Sequence, residues 1–277
     1  YFPSTGQMKQ TEAFHNISIK SLALDGNGYL LAGTDNGLYV YHNDVTPLQH
    51  IIHDSRNIQS LTNNIIWNIF ADQEHNIWLG TDYGISLSRY NSALQFIPIS
   101  QITGTGDGNQ FYSLFRDSKG FYWFGGTNGV IRFTHPAGNK HDAIWYRMGD
   151  KNYPLSHNRI RHIYEDREQQ LWIATDGSIN RYDYATRQFV HYNIVDSTGT
   201  YNTNWTYYMF EDNAGRLWIS TCLGGIFVVD KHKLMQSKVG QYVAEYNYSI
   251  HNGLSGMFIN QIMPDKEGNV WVLLYNS

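Results

Sequence analysis

The residues of this chain best suited to chemistry are aromatic, guanidinium and amide side chains that recur at fixed distances ahead of an Asp. Five residues before six successive aspartates stand Lys20, Trp67, Tyr112, Arg161, Tyr207 and Asn260. Seven before stand Ser18, Ile65, Gln110, Arg159, Trp205 and Phe258. Trp and Tyr offer flat apolar faces to a sugar ring, and Arg and Asn offer planar donors and acceptors to its hydroxyls. Trp67, Tyr112, Arg159, Arg161, Trp205, Tyr207 and Asn260 are therefore the candidate ligand-binding residues. Packing between neighbouring elements is their competing role.

Other chemistries are less well served. Asp35, Asp82 and Asp176 each follow a strand-ending Thr. As surface carboxylates they would suit a metal or acid–base work, but their recurrence at one turn assigns them to the turn. Among twelve histidines, His135, His141, His157, His162 and His191 are the densest set, and none shows zinc-ligand spacing. His157 and His162, entering a strand five apart, fall on opposite faces. Cys222 is the single cysteine, so no intrachain disulfide forms. No His stands at a fixed offset to make it a nucleophile. Gly104-Thr105-Gly106-Asp107-Gly108 lacks the Lys-Ser/Thr of a phosphate loop and reads as a flexible connector. No cofactor or metal is expected.

The elements that position these residues follow from a repeat. Asp25–Leu31, Asp72–Trp78, Asp117–Trp123, Asp166–Trp172, Asp212–Trp218 and Asp265–Trp271 each place a large apolar residue six after an Asp. The steps from Asp to Asp are 47, 45, 49, 46 and 53 residues. At that period each unit buries its apolar face against a copy of itself.

Within one repeat, Asn64 to Phe70 reads as a strand, Asp72 to Asn76 as a turn, and Ile77-Trp78-Leu79 as a second strand. Thr81 to Gly84 is another turn, Ile85 to Tyr90 a third strand and Leu94 to Ile97 a weaker fourth. Three residues after the Asp come Gly28, Gly120, Gly215 and Gly268, with His75 and Gln169 in the same slot. That slot is expected to need a positive φ. Six residues after the large apolar position come Gly37, Gly84, Gly129 and Gly224, with Ser178 as the exception. Second strands such as Ile77-Trp78-Leu79 and Tyr122-Trp123-Phe124 are apolar on both sides, so both of their faces are covered. Four short antiparallel strands per repeat describe a propeller blade. The chain reads as one all-β domain, 1–277, with repeats of about 15–62, 63–107, 108–156, 157–202, 203–255 and an incomplete 256–277.

Hydrophobic content of 42% supports a sizeable core, and a net charge of −4 gives no basic face for nucleic acid. No apolar run reaches the roughly 20 residues needed to cross a bilayer as a helix. The chain opens at Tyr1 without a starting Met or signal peptide and is expected to be a mature or excised segment. Residues 1 to 14 are expected to supply the fourth strand of an earlier blade, in a window cut from a longer array.

WD40 and kelch signatures are absent, and the sialidase-type Asp box has a different Asp-to-Trp distance. Ile66-Trp67-Asn68-Ile69-Phe70-Ala71-Asp72 followed by Ile77-Trp78-Leu79-Gly80-Thr81-Asp82-Tyr83-Gly84-Ile85 instead resembles the two-component regulator propeller repeat. Ile160 to Asp166 with Leu171 to Thr175 is a second close copy, and the resemblance runs from about residue 17 to 274. Leu31 for Trp, Thr206 for Ile and Ser178 for Gly depart from it. The resemblance implies six repeat units of a seven-bladed β-propeller, part of a longer chain. It further implies the periplasmic sensor of an inner-membrane hybrid two-component protein from Bacteroides-like bacteria. In such proteins further domains of the same polypeptide, including a histidine kinase, lie outside this segment. The implied partner is a glycan-derived oligosaccharide, with a homodimer as another candidate and no nucleic acid contact. A propeller lyase resembling the streptogramin lyases, or a protein-interaction propeller, is the alternative.

Overall fold

Each repeat is organised by the two oxygens of its Asp. Oδ1 closes the turn, accepting backbone N–H groups two and four residues on: Lys119 and Phe121 at Asp117 (3.0 and 2.8 Å), Glu168 and Gln170 at Asp166 (both 2.9 Å). Oδ2 accepts the indole N–H of the Trp six residues on. The distances are 2.8 Å at Asp72–Trp78, 2.7 Å at Asp117–Trp123, 2.9 Å at Asp166–Trp172, 2.8 Å at Asp212–Trp218 and 3.0 Å at Asp265–Trp271. The residue three after each Asp has positive φ whether it is Gly28, His75, Gly120, Gln169, Gly215 or Gly268. Burial pulls the Asp212 carboxyl upward, but hydrogen bonds from Trp218 and Arg216 hold it below its ordinary range.

The computed structural model describes residues 14–42, 46–90, 96–98, 100, 109–134, 142–151, 154–237 and 241–275. The expected strand within residues 1–14, the Gly104–Gly108 connector, His135 and His141 lie outside them, except for Phe14. Two compact units are present, Tyr1–Arg116 with Thr134–Ala143, and Asp117–Phe133 with Ile144–Ser277.

In the first unit, β1 (Ile19–Leu24), β2 (Leu30–Thr34), β3 (Gly37–Tyr41) and β4 (Gln49–Ile51) pair in chain order, all antiparallel. The next sheet, β5 (Ile66–Ala71), β6 (Ile77–Thr81), β7 (Ile85–Ser88) and β8 (Phe96–Pro98), repeats the pattern, and β9 (Phe111–Arg116) packs beside β5. Every residue of β6 is buried, as a strand covered on both faces requires. Leu31, Leu38, Ile66, Ile69, Ile77 and Leu79 form the core between the two sheets.

In the second unit, β10 (Tyr122–Gly126), β11 (Gly129–Phe133) and β12 (Ile144–Tyr146) precede two full sheets. The first is β13 (Ile160–Glu165), β14 (Leu171–Thr175), β15 (Ser178–Asp183) and β16 (Gln188–Val195). The second is β17 (Thr206–Glu211), β18 (Arg216–Thr221), β19 (Ile226–Asp230) and β21 (Tyr246–Tyr248). A hairpin of β22 (Ile259–Pro264) and β23 (Val270–Leu274) follows. Between β19 and β21 lies an excursion foreign to the repeat: helix α1 (Lys231–Gln236), then β20 (Gln241–Val243), which adds to β16 in parallel. This fifth strand is additional to the four antiparallel strands of the blade. The excursion is anchored by Lys231, 1% exposed, whose Nζ lies 2.7 Å from Glu211 and 3.4 Å from the repeat carboxylate of Asp166.

Thr closes the second turn of four repeats, with Gly126 in that slot of the third. Thr34, Thr81 and Thr175 donate Oγ–H to the carbonyl three residues on, and Thr221 to that of Gly225, four residues on. The left-handed residue there is Gly225 and not Gly224, because this turn is one residue longer.

Trp78, Trp123 and Trp172 are fully buried, Trp218 is half-buried and Trp271 is 62% exposed. Trp78→Ala should therefore cost about 3–5 kcal/mol, and Trp271→Ala less than about 1 kcal/mol, in chemical denaturation. Equal losses would separate the indoles from the core role.

Candidate functional site

Five first strands share one irregularity. Against the neighbouring second strand, register slips between Ile19 and Ser21, Ile66 and Asn68, Ile160 and His162, Thr206 and Tyr208, and Ile259 and Gln261. The residues left over are Lys20, Trp67, Arg161, Tyr207 and Asn260, which are members of the variable slot five before the Asp. A β-bulge releases one residue from the ladder and re-aims its side chain. The slot varies freely because the bulge removes it from the pairing.

In the first unit, Lys20 Nζ stands 4.7 Å from the Trp67 ring centroid, and Trp67 meets Tyr112 edge-on at 5.3 Å. Their polar edges are tied inward. Trp67 Nε1 donates to Asp82 Oδ1 at 3.0 Å, Gln110 Nε2 donates to the same oxygen at 2.6 Å, and the Tyr112 hydroxyl donates to Gln110 Oε1. Much of this cluster's hydrogen-bonding capacity is used within the protein.

In the second unit, Arg161 forms a two-point pair with Asp176, Nε to Oδ1 at 2.7 Å and Nη2 to Oδ2 at 3.2 Å. Its guanidinium lies 4.5 Å from the Tyr207 ring centroid. Arg159 Nη1 is 3.8 Å from the same carboxylate, and its side chain is 46% exposed. Asp82 and Asp176 are thus not the plain turn residues their spacing indicated: Thr81 and Thr175 close the turns, and the two carboxylates hold the bulged side chains. Asp35 holds backbone and not a bulged side chain, accepting the N–H of Ser18 across the hairpin at 3.1 Å. Asn260 is exposed on β22.

Trp205 is the outlier of its slot. Its φ is 54°, a left-handed value rare for a bulky residue. Its backbone is held on both sides, N–H donating to the Asp176 carbonyl at 3.0 Å and C=O accepting from Cys222 N–H at 3.0 Å. The indole remains 47% exposed. It walls a groove of about 360 Å³ together with Asp176, Asn202, Asn204 and Leu223. Strain held in place by surrounding bonds marks positions where conformation serves a role other than stability. Nothing in the sequence signals a positive φ at a Trp, so this feature appears in the structure alone.

Cys222, buried beside this cluster, has its thiol pushed up by burial, with Arg161 opposing. Among the described residues no group of three or more His, Cys, Asp or Glu is placed to hold a metal ion. No helix among them is long and apolar enough to cross a membrane. One residue beyond Arg161, His162 stacks on Tyr208 at 3.8 Å, and its Nδ1 accepts the Met209 N–H at 3.3 Å. Burial pushes this imidazole down to about 3.

Five stretches of the chain, residues 60–83, 105–128, 154–177, 200–222 and 253–276, match the family model described as two component regulator propeller. The chain belongs to the two component regulator propeller family. The first repeat, with Leu31 in place of Trp, lies outside the matched stretches. Over its whole length the chain is 91% identical to an extracellular domain from B. thetaiotaomicron, with a TM-score of 0.64. That domain is assigned to a hybrid two component system in one structure and to a one component system in another. The chain spans 37% of its length. A second such extracellular domain from B. thetaiotaomicron is 23% identical, with a TM-score of 0.68 over 92% of this chain and 31% of that one. Virginiamycin B lyase from Staphylococcus aureus is 12% identical, with a TM-score of 0.67 over 96% of this chain and 80% of the lyase. These last two likenesses show the fold alone: an all-β propeller of four-stranded antiparallel blades. No curated protein matches the chain.

His162 makes stability depend on pH in a defined direction. In the unfolded chain it takes a proton near 6.5, whereas in the folded state it stays neutral down to about 3. The unfolded state binds more protons across that window, so this contribution is complete above 6.5 and is lost as pH falls towards 3. Denaturation midpoints of the chain and of His162→Gln should converge as pH is lowered from 7 to 4. Parallel curves would show that His162 does not titrate with unfolding.

Proposed function

We propose that the chain is the extracytoplasmic, periplasmic sensor segment of an inner-membrane hybrid two-component protein. It binds a glycan-derived oligosaccharide in the groove beside Trp205, and occupancy is passed to a histidine kinase elsewhere in the same polypeptide. The observation that carries this reading is Trp205 itself, a strained and half-exposed indole beside a fixed Arg–carboxylate array. An exposed flat ring provides a stacking surface for the apolar face of a sugar, and the amides of Asn202 and Asn204 and the hydroxyls of Thr200 and Tyr201 that line the groove suit its hydroxyls. The rigidity of the Asp176–Arg161–Tyr207 stack spares the ordering cost of forming such a site on binding. The likeness to extracellular domains of two component systems supports the cellular role. The Trp67–Tyr112 cluster is the weaker candidate, because its polar edges are occupied by Asp82 and Gln110.

Trp205→Gly separates binding from stability, since Gly accepts the φ of 54° without strain. The melting temperature should stay within a few degrees while calorimetric titration with an oligosaccharide panel loses its signal. Trp67→Ala should weaken binding less than Trp205→Gly. Unchanged binding by Trp205→Gly would refute the site, and product formation from a bound saccharide would favour an enzyme.

A further inference from the structure

The groove beside Trp205 does not end at its own wall. Thr200 and Tyr201 border it, and the same two residues border a second concavity of about 380 Å³. The far side of that second space is formed by residues 244–252, which follow the foreign excursion α1–β20. We propose that the two concavities are successive subsites of one groove straddling Tyr201. Its ligand is a saccharide chain of at least two rings, and the portion over the second subsite is uncharged. This rests on the saccharide reading above and extends it to ligand length and charge.

Both walls are built and held. On one side, β16 runs eight residues where β4, β8 and β12 run three, and the parallel pairing of β20 fixes its end. The following turn is closed by Asp196, whose carboxylate accepts from the Thr198 hydroxyl at 2.5 Å and the Tyr201 N–H at 2.7 Å. On the other side, Asn247 Nδ2 donates to the Gly224 carbonyl at 2.8 Å. Asn252 Oδ1 accepts the Ser249 N–H at 2.6 Å, and its Nδ2 donates to the Asn247 carbonyl at 2.8 Å. These groups hold the walls. The groups presented to a ligand are the half-buried Tyr201, whose hydroxyl is 3.5 Å from His251 Nε2, the exposed His251 and the Tyr246 ring, 57% exposed. Trp205 lines the first concavity and Tyr246 the second, so each offers a stacking surface to a different ring. The second subsite is lined by Asp196 and Glu245 and by no Lys or Arg. A uronate or sulfate ester there would face these two carboxylates, with Lys233 Nζ, 3.7 Å from Glu245 Oε1, lying outside the lining.

The test titrates the full chain with neutral gluco-, manno-, galacto- and xylo-oligosaccharides of one to six residues and with oligogalacturonates of the same lengths. Affinity in the recognised neutral series should rise at least about tenfold from one residue to three or four. Tyr246→Ala with His251→Ala should remove most of that gain, while Trp205→Gly abolishes binding at every length. Length-independent affinity, or a gain untouched by the double variant while Trp205→Gly still abolishes binding, overturns the two-subsite groove and leaves the saccharide reading standing. Tighter binding of the galacturonates overturns the charge assignment. Binding insensitive to Trp205→Gly, or none from any series, overturns the reading and this inference together.

Discussion

A single carboxylate with two distinct duties underlies this molecule. A buried indole needs an acceptor for its N–H, and a buried carboxylate needs donors on both oxygens. In this repeat each requirement answers the other: the Asp closes its own turn with Oδ1 and receives the following strand's Trp at Oδ2. The covalent path between them fixes the spacing of six, since the turn returns the chain antiparallel and sets the Trp side chain back over the Asp. A hydrogen bond to a charged group contributes roughly 1.5–3 kcal/mol, and here it also sets the registry of the first hairpin. Where Leu31 replaces Trp, Asp25 still closes the turn through Oδ1, to Asn27 and Tyr29. The two duties are therefore separable.

Because the framework is fixed so locally, variation accumulates where the ladder lets go. The bulge on five of the first strands frees one side chain, and in two repeats the Thr-closed turn delivers a carboxylate to meet it. Asp82 with Trp67 and Asp176 with Arg161 are the same device carrying different chemistry. The fifth repeat departs furthest. Trp205 takes a left-handed backbone, the second turn gains Gly225, and α1 with β20 is inserted before β21. Lys231 ties that insertion to Asp166, so the most irregular part of the chain is anchored to the most regular.

Much of this architecture was legible from spacing alone. The period, the two-sided burial of the second strands and the positive φ three residues after each Asp follow from residue type and position. The reason for the Trp was not legible, because spacing shows that two residues co-occur and not that one donates to the other. The bulge was hidden because register belongs to strand pairs and leaves no mark on one strand's sequence. Asp176 sits in the turn as expected, but its bond to Arg161 was not legible, since that partner lies fifteen positions away and is brought near by the bulge. The insertion left one trace, the long step of 53 residues between Asp212 and Asp265. Its parallel strand could not be foreseen from three residues, Gln241-Tyr242-Val243.

The indole–carboxylate bond is most directly tested by hydrogen exchange of the tryptophan indole protons, followed by ¹⁵N-edited NMR with Trp205 as an exposed internal reference. The Nε1–H protons of Trp78, Trp123 and Trp172 should exchange only through unfolding. Asp72→Ala should release Trp78 alone, leaving Trp123 and Trp172 protected. Exchange of the three buried indoles as fast as that of Trp205, or protection of Trp78 unchanged by Asp72→Ala, would contradict the account.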